Sequence, residues 1–327
     1  MKDLAINKKI AIWLFISAFM VSLMVLIGGL TRLTHSGLSI VEWKPITGII
    51  PPISEKEWIE EFAKYKHYPE YNLVNKNIKL KNFKQIYLIE YIHRALGRLT
   101  GFVFLLPLLW FGFKNQIDSK LKFNLYIIFA LGFLQAIVGW YMVKSGLVNK
   151  PNVSQYRLAL HLTIAFVIYG LIFWNGVSLW NINRSEDLFL QKRCNLNTLG
   201  KIIGIISFFQ IIIGGFVAGT NAGLIYNEFP MMGNHFIPSD IFALKPIYKN
   251  IFENPTTIQF IHRTLAISLI VLGAIIFFKS RKTSLLKNQK NSINILVLTL
   301  GLQFILGIIT LIYHVPVFVA LAHQFGA

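Results

Sequence analysis

The sequence contains one short pattern twice, as EYIHRALGR at residues 90–98 and as QFIHRTLAI at residues 259–267. Each copy begins a long apolar segment, and each carries the triplet Ile-His-Arg. A single triplet could arise by chance in a chain of this length. Two copies in the same local context predict an internal repeat, because self-similarity at corresponding places is the signature of duplicated structure.

Further matching segments occur in the same order in both halves of the chain. IGGLTRLTHSGLS from Ile27 matches IGGFVAGTNAGLI from Ile213, LGFLQAIVG at 131–139 matches TLGLQFILG at 299–307, and LALHL around His161 matches ALAHQ around His323. The repeat divides the chain into 1–185, which includes a large outer loop at 31–85, and 186–327.

The composition is that of a membrane protein, since the mean hydropathy is +0.56 and 54% of the residues are hydrophobic. About 20 apolar residues are needed to cross a core of about 30 Å. Segments near that length lie at 10–30, 86–113, 121–143, 157–180, 201–219, 257–278 and 293–313. An eighth begins near Pro316, but only about a dozen residues remain before Ala327, so this helix is predicted to be truncated.

Each half therefore contributes four helices, and an even number gives both halves the same orientation in the membrane. The predicted fold is an all-α membrane protein with eight transmembrane helices, arranged as two four-helix bundles related by a pseudo-twofold axis.

Lys and Arg are denser in the segments 1–9, 114–122, 181–201 and 279–292 than in the other loops. This distribution predicts a cytoplasmic N-terminus. The formal net charge of +18 follows from the same loops, and its spread argues against a nucleic-acid partner. The single cysteine, Cys194, cannot form an intramolecular disulfide.

Four histidines, His93, His161, His262 and His323, are predicted to lie at one depth, roughly 6–10 Å inside the outer boundary at 1.5 Å per residue. In each half the second and fourth helices carry one of them, so two imidazoles can hold an iron from opposite sides. Hydrogen bonding between helices is the alternative. Zinc is disfavoured, since it usually takes three or four protein ligands.

The remaining histidines have no histidine at the matching position of the repeat. We predict loop or structural positions for these residues, His35, His67, His235 and His314.

One position beside the predicted ligands differs between the halves. Glu90 lies one helical turn before His93, whereas Gln259 lies one turn before His262. A carboxyl group at membrane depth costs about 2.5–3.5 kcal/mol on insertion scales and tends to be functional. Glu90 is therefore predicted to be catalytic, and the first half is predicted to contain the reacting site.

Three arginines lie near the same depth, namely Arg94, Arg98 and Arg263. They could form charge-assisted bonds to the propionates of a haem, or they could extend toward the outer interface. The sequence leaves both possibilities open.

Several long segments carry a resemblance to a known family. These are GGLTRLTHSGLSIVEWKPITGIIPP, EFAKYKHYPEY, IYLIEYIHRALGRLTG, QAIVGWYMVKSGL, FVAGTNAGLIYNEFPMMG and IQFIHRTLA. From about Met20 to the C-terminus the chain resembles the haem A synthase family, in the branch that has a long first outer loop. The cysteine pair present in the outer loop of another branch is absent here.

The resemblance implies an oxidoreductase that converts the C8 methyl of haem O to a formyl group. By analogy with the family, haem O is bound in the N-terminal half by His93 and His161, with Arg94 and Arg98 nearby and Glu90 needed for turnover. A haem b is bound in the C-terminal half, and the residues that match its site are His262, His323 and Arg263.

The resemblance also implies a multi-pass protein of the cell inner membrane, with its haem sites toward the periplasmic side. The implied partners are the enzyme that supplies haem O, a membrane electron acceptor or donor, and a second copy of the chain.

Two other classes of function stay open from the residues alone. A di-haem b-type cytochrome that passes electrons between quinol and another acceptor would explain the four histidines, but not the difference between Glu90 and Gln259. A transporter with structural histidines is disfavoured, because corresponding spans lack deep helix-breaking pairs of Pro or Gly.

Overall fold

The structure is a computed structural model, and it describes residues 2–43, 47–147, 153–181 and 196–327. Within these ranges the chain is helical and contains no strand. Among these residues seven helices, α1 to α7, are long and apolar enough to cross a membrane. With a shorter eighth, the chain is an all-α, multi-pass membrane protein, as predicted. The helices are α1 (Lys2–Leu33), α2 (Leu80–Phe113), α3 (Ser119–Gly146), α4 (Gln155–Trp180), α5 (Leu196–Gly219), α6 (Pro255–Arg281), α7 (Lys287–Ile312) and α8 (Val317–Gly326).

The chain forms two compact units, Met1–Phe189 and Leu190–Ala327. The division between them falls in 182–195, outside the described residues, as do Cys194 and the domain boundary predicted at 185.

Each unit has its own apolar core. In the first unit α1 packs against α2 and α4, and α3 packs against α4; Leu14, Leu125 and Ile172 are buried between these helices. In the second unit α6 packs against α5 and α7, and α7 packs against α8. Ile203 and Ile276 belong to that second core. Neighbouring helices in sequence therefore pack as hairpins.

Helix α2 is longer than the predicted segment 86–113. Its 34 residues correspond to about 51 Å, well beyond a hydrocarbon core of about 30 Å. The first turns do not need lipid, because Phe83 and Tyr87 are buried against the outer loop. Lys81 and Lys84 lower the local hydropathy, which is why the apolar pattern misses this extension.

The large outer loop of the first unit contains two helices, Glu55–Tyr65 and Pro69–Leu73. Ser54 starts the first of them through a capping box with Glu57, a reciprocal pair of side-chain and backbone hydrogen bonds. One face of the loop packs on the start of α2 through an aromatic cluster, whose buried members are Trp58, Phe62, Tyr65, Phe83 and Tyr87.

A carboxyl group is buried beneath this cluster. Glu70 is 4% exposed, and its Oε2 accepts a hydrogen bond of 3.1 Å from the Tyr65 hydroxyl. Asn75 donates in turn to the Tyr65 oxygen at 2.9 Å. Burial raises the pKa of Glu70 to about 8, so its carboxyl is largely neutral at pH 7.

The first helix of each unit ends in the same way. His35 follows α1 with φ 50°, and Asn221 follows α5 with φ 54°; these two residues occupy matching positions in the repeat. After His35 the chain turns back, so that Ser36 N donates to Thr31 O at 2.8 Å. Other short elements are Thr47–Ile49, Ala222–Leu224, Ile247–Lys249 and Asn250–Glu253.

Candidate functional site

The structure places the two predicted ligands of the first unit on α2 and α4, each against a glycine of the preceding helix. A methyl group on Gly28 of α1 would lie 3.2 Å from Cε1 of His93. A methyl group on Gly139 of α3 would lie 2.9 Å from Cε1 of His161. Both imidazoles are partly buried.

The second unit has the same arrangement. A methyl group on Gly214 of α5 would lie 3.3 Å from Cε1 of His262, and one on Gly307 of α7 would lie 2.9 Å from Cε1 of His323. The two imidazole centroids are 6.5 Å apart, with their planes at 87°. Two imidazoles that share one metal at about 2.0–2.1 Å each, as in zinc–histidine bonds, have centroids about 6 Å apart. The observed separation of 6.5 Å is close to that value.

Two matching glutamines hold the backbone of the ligands on the fourth helix of each unit. Gln135 Nε2 donates to His161 O at 3.0 Å, and Gln303 Nε2 donates to His323 O. In each case the glutamine lies one turn before the glycine that contacts the same histidine. Helices α3 and α7 therefore hold each ligand at both its backbone and its ring.

The rings themselves make few hydrogen bonds. Within the described residues one hydrogen bond to a ring nitrogen is found, between His262 Nε2 and Gln210 Nε2 at 3.3 Å. The Nδ1 atoms of all four are buried without a partner: His93, His161, His262 and His323. In the described residues the ring of His262 joins α6 to α5 through Gln210, whereas the other three rings show no hydrogen bond that joins helices. No group of three or more His, Cys, Asp or Glu able to hold a metal occurs in the described ranges, so each pair offers two ligands.

Glu90 lies on α2 one turn before His93, and it joins that helix to the outer loop. It is 4% exposed. Its Oε2 accepts from Ser39 N and Ser39 Oγ, both at 2.7 Å, and from Ile40 N at 2.8 Å. Its Oε1 accepts from Arg94 Nε at 3.1 Å and Arg94 Nη2 at 2.7 Å. Arg94 Nη2 also donates to Ile40 O at 2.9 Å. We call Ser39, Ile40, Glu90 and Arg94 the first loop clamp.

The second unit has a neutral counterpart. Gln259 Nε2 donates to Tyr226 O at 3.0 Å, and Arg263 Nη2 donates to the same oxygen at 2.8 Å. Arg263 Nη1 also donates to Met231 O at 3.0 Å. Tyr226 and Ile40 occupy matching positions in the repeat, so the arginine after each ligand binds the equivalent carbonyl. Gln259, Arg263 and Tyr226 form the second loop clamp.

The arginines predicted to meet haem propionates have these loop contacts as their observed partners. Arg94 and Arg263 bind backbone carbonyls, while Arg98 is half-buried one turn further along α2. A role in binding propionates stays a prediction. Of the remaining histidines, His67 and His235 are exposed in loops, and His314 follows α7 with φ 58°.

Comparison with known proteins agrees with this architecture. The sequence profile of the COX15-CtaA family, described as cytochrome oxidase assembly protein, matches residues 11–327. The chain belongs to the COX15-CtaA family. Heme A synthase of Wolbachia pipientis wMel is 48% identical over 317 residues, which cover 97% of this chain and 88% of the relative. Heme A synthase of a Wolbachia from Brugia malayi is 46% identical over 318 residues, with coverage of 97% and 92%. Heme A synthase of Nitrosospira multiformis is 47% identical over 325 residues, with coverage of 99% and 90%.

In this COX15-CtaA protein several residues that hold the site had no role assigned from the sequence. Gly28 and Gly214 leave room for imidazole rings, since a methyl group at either position would lie within 3.3 Å of one. Gln135 and Gln303 were recognised only as matching residues. The repeat pointed to these two glutamines, because they match each other and contact the matching histidines, His161 and His323. Ser39 gave no such signal, since its partner Glu90 is distant in sequence.

Proposed function

We propose that the chain is a haem A synthase, an oxidoreductase that converts the methyl group at ring carbon 8 of haem O to a formyl group. The observation that carries the proposal is a pair of partly buried histidines in each unit, held by matching glycines and glutamines. The proposal is supported by 46–48% identity, over nearly the whole chain, to proteins named heme A synthase.

In this proposal the second unit binds a resident haem b through His262 and His323. Imidazole is a common axial ligand of haem iron, and the 6.5 Å separation of the two rings suits one shared metal. When bound, the haem supplies one-electron redox chemistry. Arg263 holds the adjacent loop through Tyr226 O, which fixes the outer side of the site.

The first unit binds haem O, the substrate, through His93 and His161. Glu90 is the residue there on which turnover depends. Oxidation of a methyl group removes hydrogen from carbon, so protons must leave the site. Both oxygens of Glu90 are fully occupied by donors. The carboxylate can therefore take up a proton only when part of the first loop clamp is released, while the closed clamp orders Ser39 and Ile40 above the ligand helix.

The same proposal implies the membrane location and the partners of the chain. The chain lies in the cell inner membrane with a cytoplasmic N-terminus, and its haem sites are toward the periplasmic side. Its partners are the enzyme that supplies haem O, a membrane electron acceptor or donor, and in some assemblies a second copy of the chain. Arg94 and Arg98 lie on the ligand helix of the first unit, and they would supply positive charge for the carboxylates of haem O.

The test is to co-express the chain with an enzyme that makes haem O, in a host that lacks haem A, and to identify the extracted haems chemically. Haem A or a hydroxylated intermediate is the expected result. A protein carrying haem B alone would indicate a di-haem cytochrome, and one carrying no haem would indicate a transporter. A Glu90→Gln chain is the matched control, because it keeps all four histidines.

A further inference from the structure

The four contacts between glycine and histidine follow one rule. In each pair of successive helices the first helix supplies the glycine and the second supplies the histidine: α1 and α2, α3 and α4, α5 and α6, α7 and α8. The four pairs are Gly28 with His93, Gly139 with His161, Gly214 with His262 and Gly307 with His323. In every pair the closest ring atom is Cε1, which lies between the two ring nitrogens.

We propose that these four glycines are positioning residues that set the planes of the haem-ligating imidazoles. The inference rests on the proposed function, since it assumes that the rings bind iron. A ring whose Cε1 edge points at a neighbouring helix backbone, as these do, cannot move further toward that helix. Its Cε1 edge is fixed, and the direction of its nitrogens is fixed with it. Residues that bind a metal are oriented by neighbours that do not contact the metal themselves.

The distances predict an order of sensitivity. At Gly139 and Gly307 a methyl group would lie 2.9 Å from the ring. Ordinary contact begins near 3.4 Å, so the ring would have to shift by about 0.5 Å, beyond the roughly 0.2 Å tolerance of metal–ligand distances. At Gly28 and Gly214 the distances are 3.2 and 3.3 Å, and a shift of about 0.2 Å suffices. Alanine should therefore be worse on α3 and α7 than on α1 and α5.

The chain also offers internal controls. Gly301 lies on α7, as Gly307 does, and Gly204 lies on α5, as Gly214 does; a methyl group at either control position would meet nothing within 4 Å. Alanine is a better helix former than glycine, so replacement at the control positions should not weaken the helix. Any difference between test and control on the same helix then reports the ring contact.

The experiment uses the purified full-length chain with its haem. Gly307→Ala, Gly214→Ala, Gly301→Ala and Gly204→Ala are compared by haem b content per protein and by the low-spin absorption spectrum. We expect Gly307→Ala to lose about tenfold in haem affinity, within the range known for supporting residues of metal sites, and to lose the low-spin signature. Gly214→Ala should retain haem with a shifted spectrum, and both control variants should match the wild type.

Unaltered haem content and an unaltered spectrum in Gly307→Ala and Gly214→Ala would overturn the inference. So would equal losses in Gly301→Ala, because the effect would then belong to the helix. If Gly307→Ala does not fold, Gly214→Ala, which needs the smaller shift, decides the question by its spectrum. A wild-type chain without haem would contradict the proposed function itself, which keeps the two failures distinguishable.

Discussion

Replacing Glu90 by glutamine keeps the shape of the side chain but removes the charge at the centre of the first loop clamp. One oxygen becomes an NH₂ group, which must face either Arg94 or the donors of Ser39 and Ile40. Hydrogen bonds to charged groups contribute about 1.5–3 kcal/mol each. Removing one partner of a buried ion pair costs about 3–5 kcal/mol, and the Glu90 side chain is only 5% exposed. We expect the closed state of the outer loop to weaken by about 3–5 kcal/mol.

Hydrogen–deuterium exchange over residues 34–79 measures this weakening directly. Amides at Ser39 and Ile40 should exchange faster in Glu90→Gln by about two orders of magnitude or more, since 1.4 kcal/mol is tenfold. Formation of the formyl product should fall while haem stays bound. Glu57→Gln is the control, because Glu57 also accepts backbone hydrogen bonds in this loop but is exposed. Wild-type exchange together with lost turnover would refute the clamp argument and leave Glu90 a purely chemical role.

Three further outcomes follow. His262→Ala and His323→Ala should each abolish the low-spin spectrum of haem b, because an iron that loses an axial nitrogen changes spin state or is released; an unchanged two-haem spectrum would contradict the ligand assignment. Ser39→Ala should speed exchange of the loop less than Glu90→Gln does, since it removes one of three donors to Oε2, and equal effects would contradict this ranking. Burial raises the pKa of Glu70 to about 8 from 4.5, so the folded loop keeps a proton that the unfolded chain loses, and loop stability should fall as pH rises between those values. In a protease-protection assay of the loop, the wild type should be less protected at pH 8.5 than at pH 5.5, and Glu70→Gln should remove this difference. An equal decrease in protection in the variant and the wild type would contradict the role of Glu70.

The sequence was a good guide wherever length and hydropathy decide the structure. In the described residues apolar segments predicted α1 to α7 by their length, because a membrane imposes a minimum length on a spanning helix, and hydropathy alone predicted the shorter α8. The start of α2 was not predictable in this way, since Phe83 and Tyr87 are buried by loop residues rather than by lipid. Charge in an apolar segment drew attention to Glu90, but its loop partners Ser39 and Ile40 lie some fifty residues away and no local pattern points to them.

The glycines show a second limit of prediction from sequence. Their spacing in the repeat was visible, and a packing role was the ordinary expectation for small residues in membrane helices. Whether Gly28 faces a helix backbone or an imidazole depends on the rotation of α1 about its axis. That rotation is set by the combined packing of α1 on α2 and α4, which sequence periodicity does not resolve.

The pairing of each glycine with a histidine inside one hairpin has a consequence for biosynthesis. A hairpin that leaves the ribosome already contains both the ligand and the surface that orients it, and N-terminal segments fold first during synthesis. In the proposed function the first haem position needs only α1 to α4, and these helices end at Trp180. Under the proposed function the first pair of haem ligands is therefore complete before α8 is made, and the second pair is complete only after translation reaches α8.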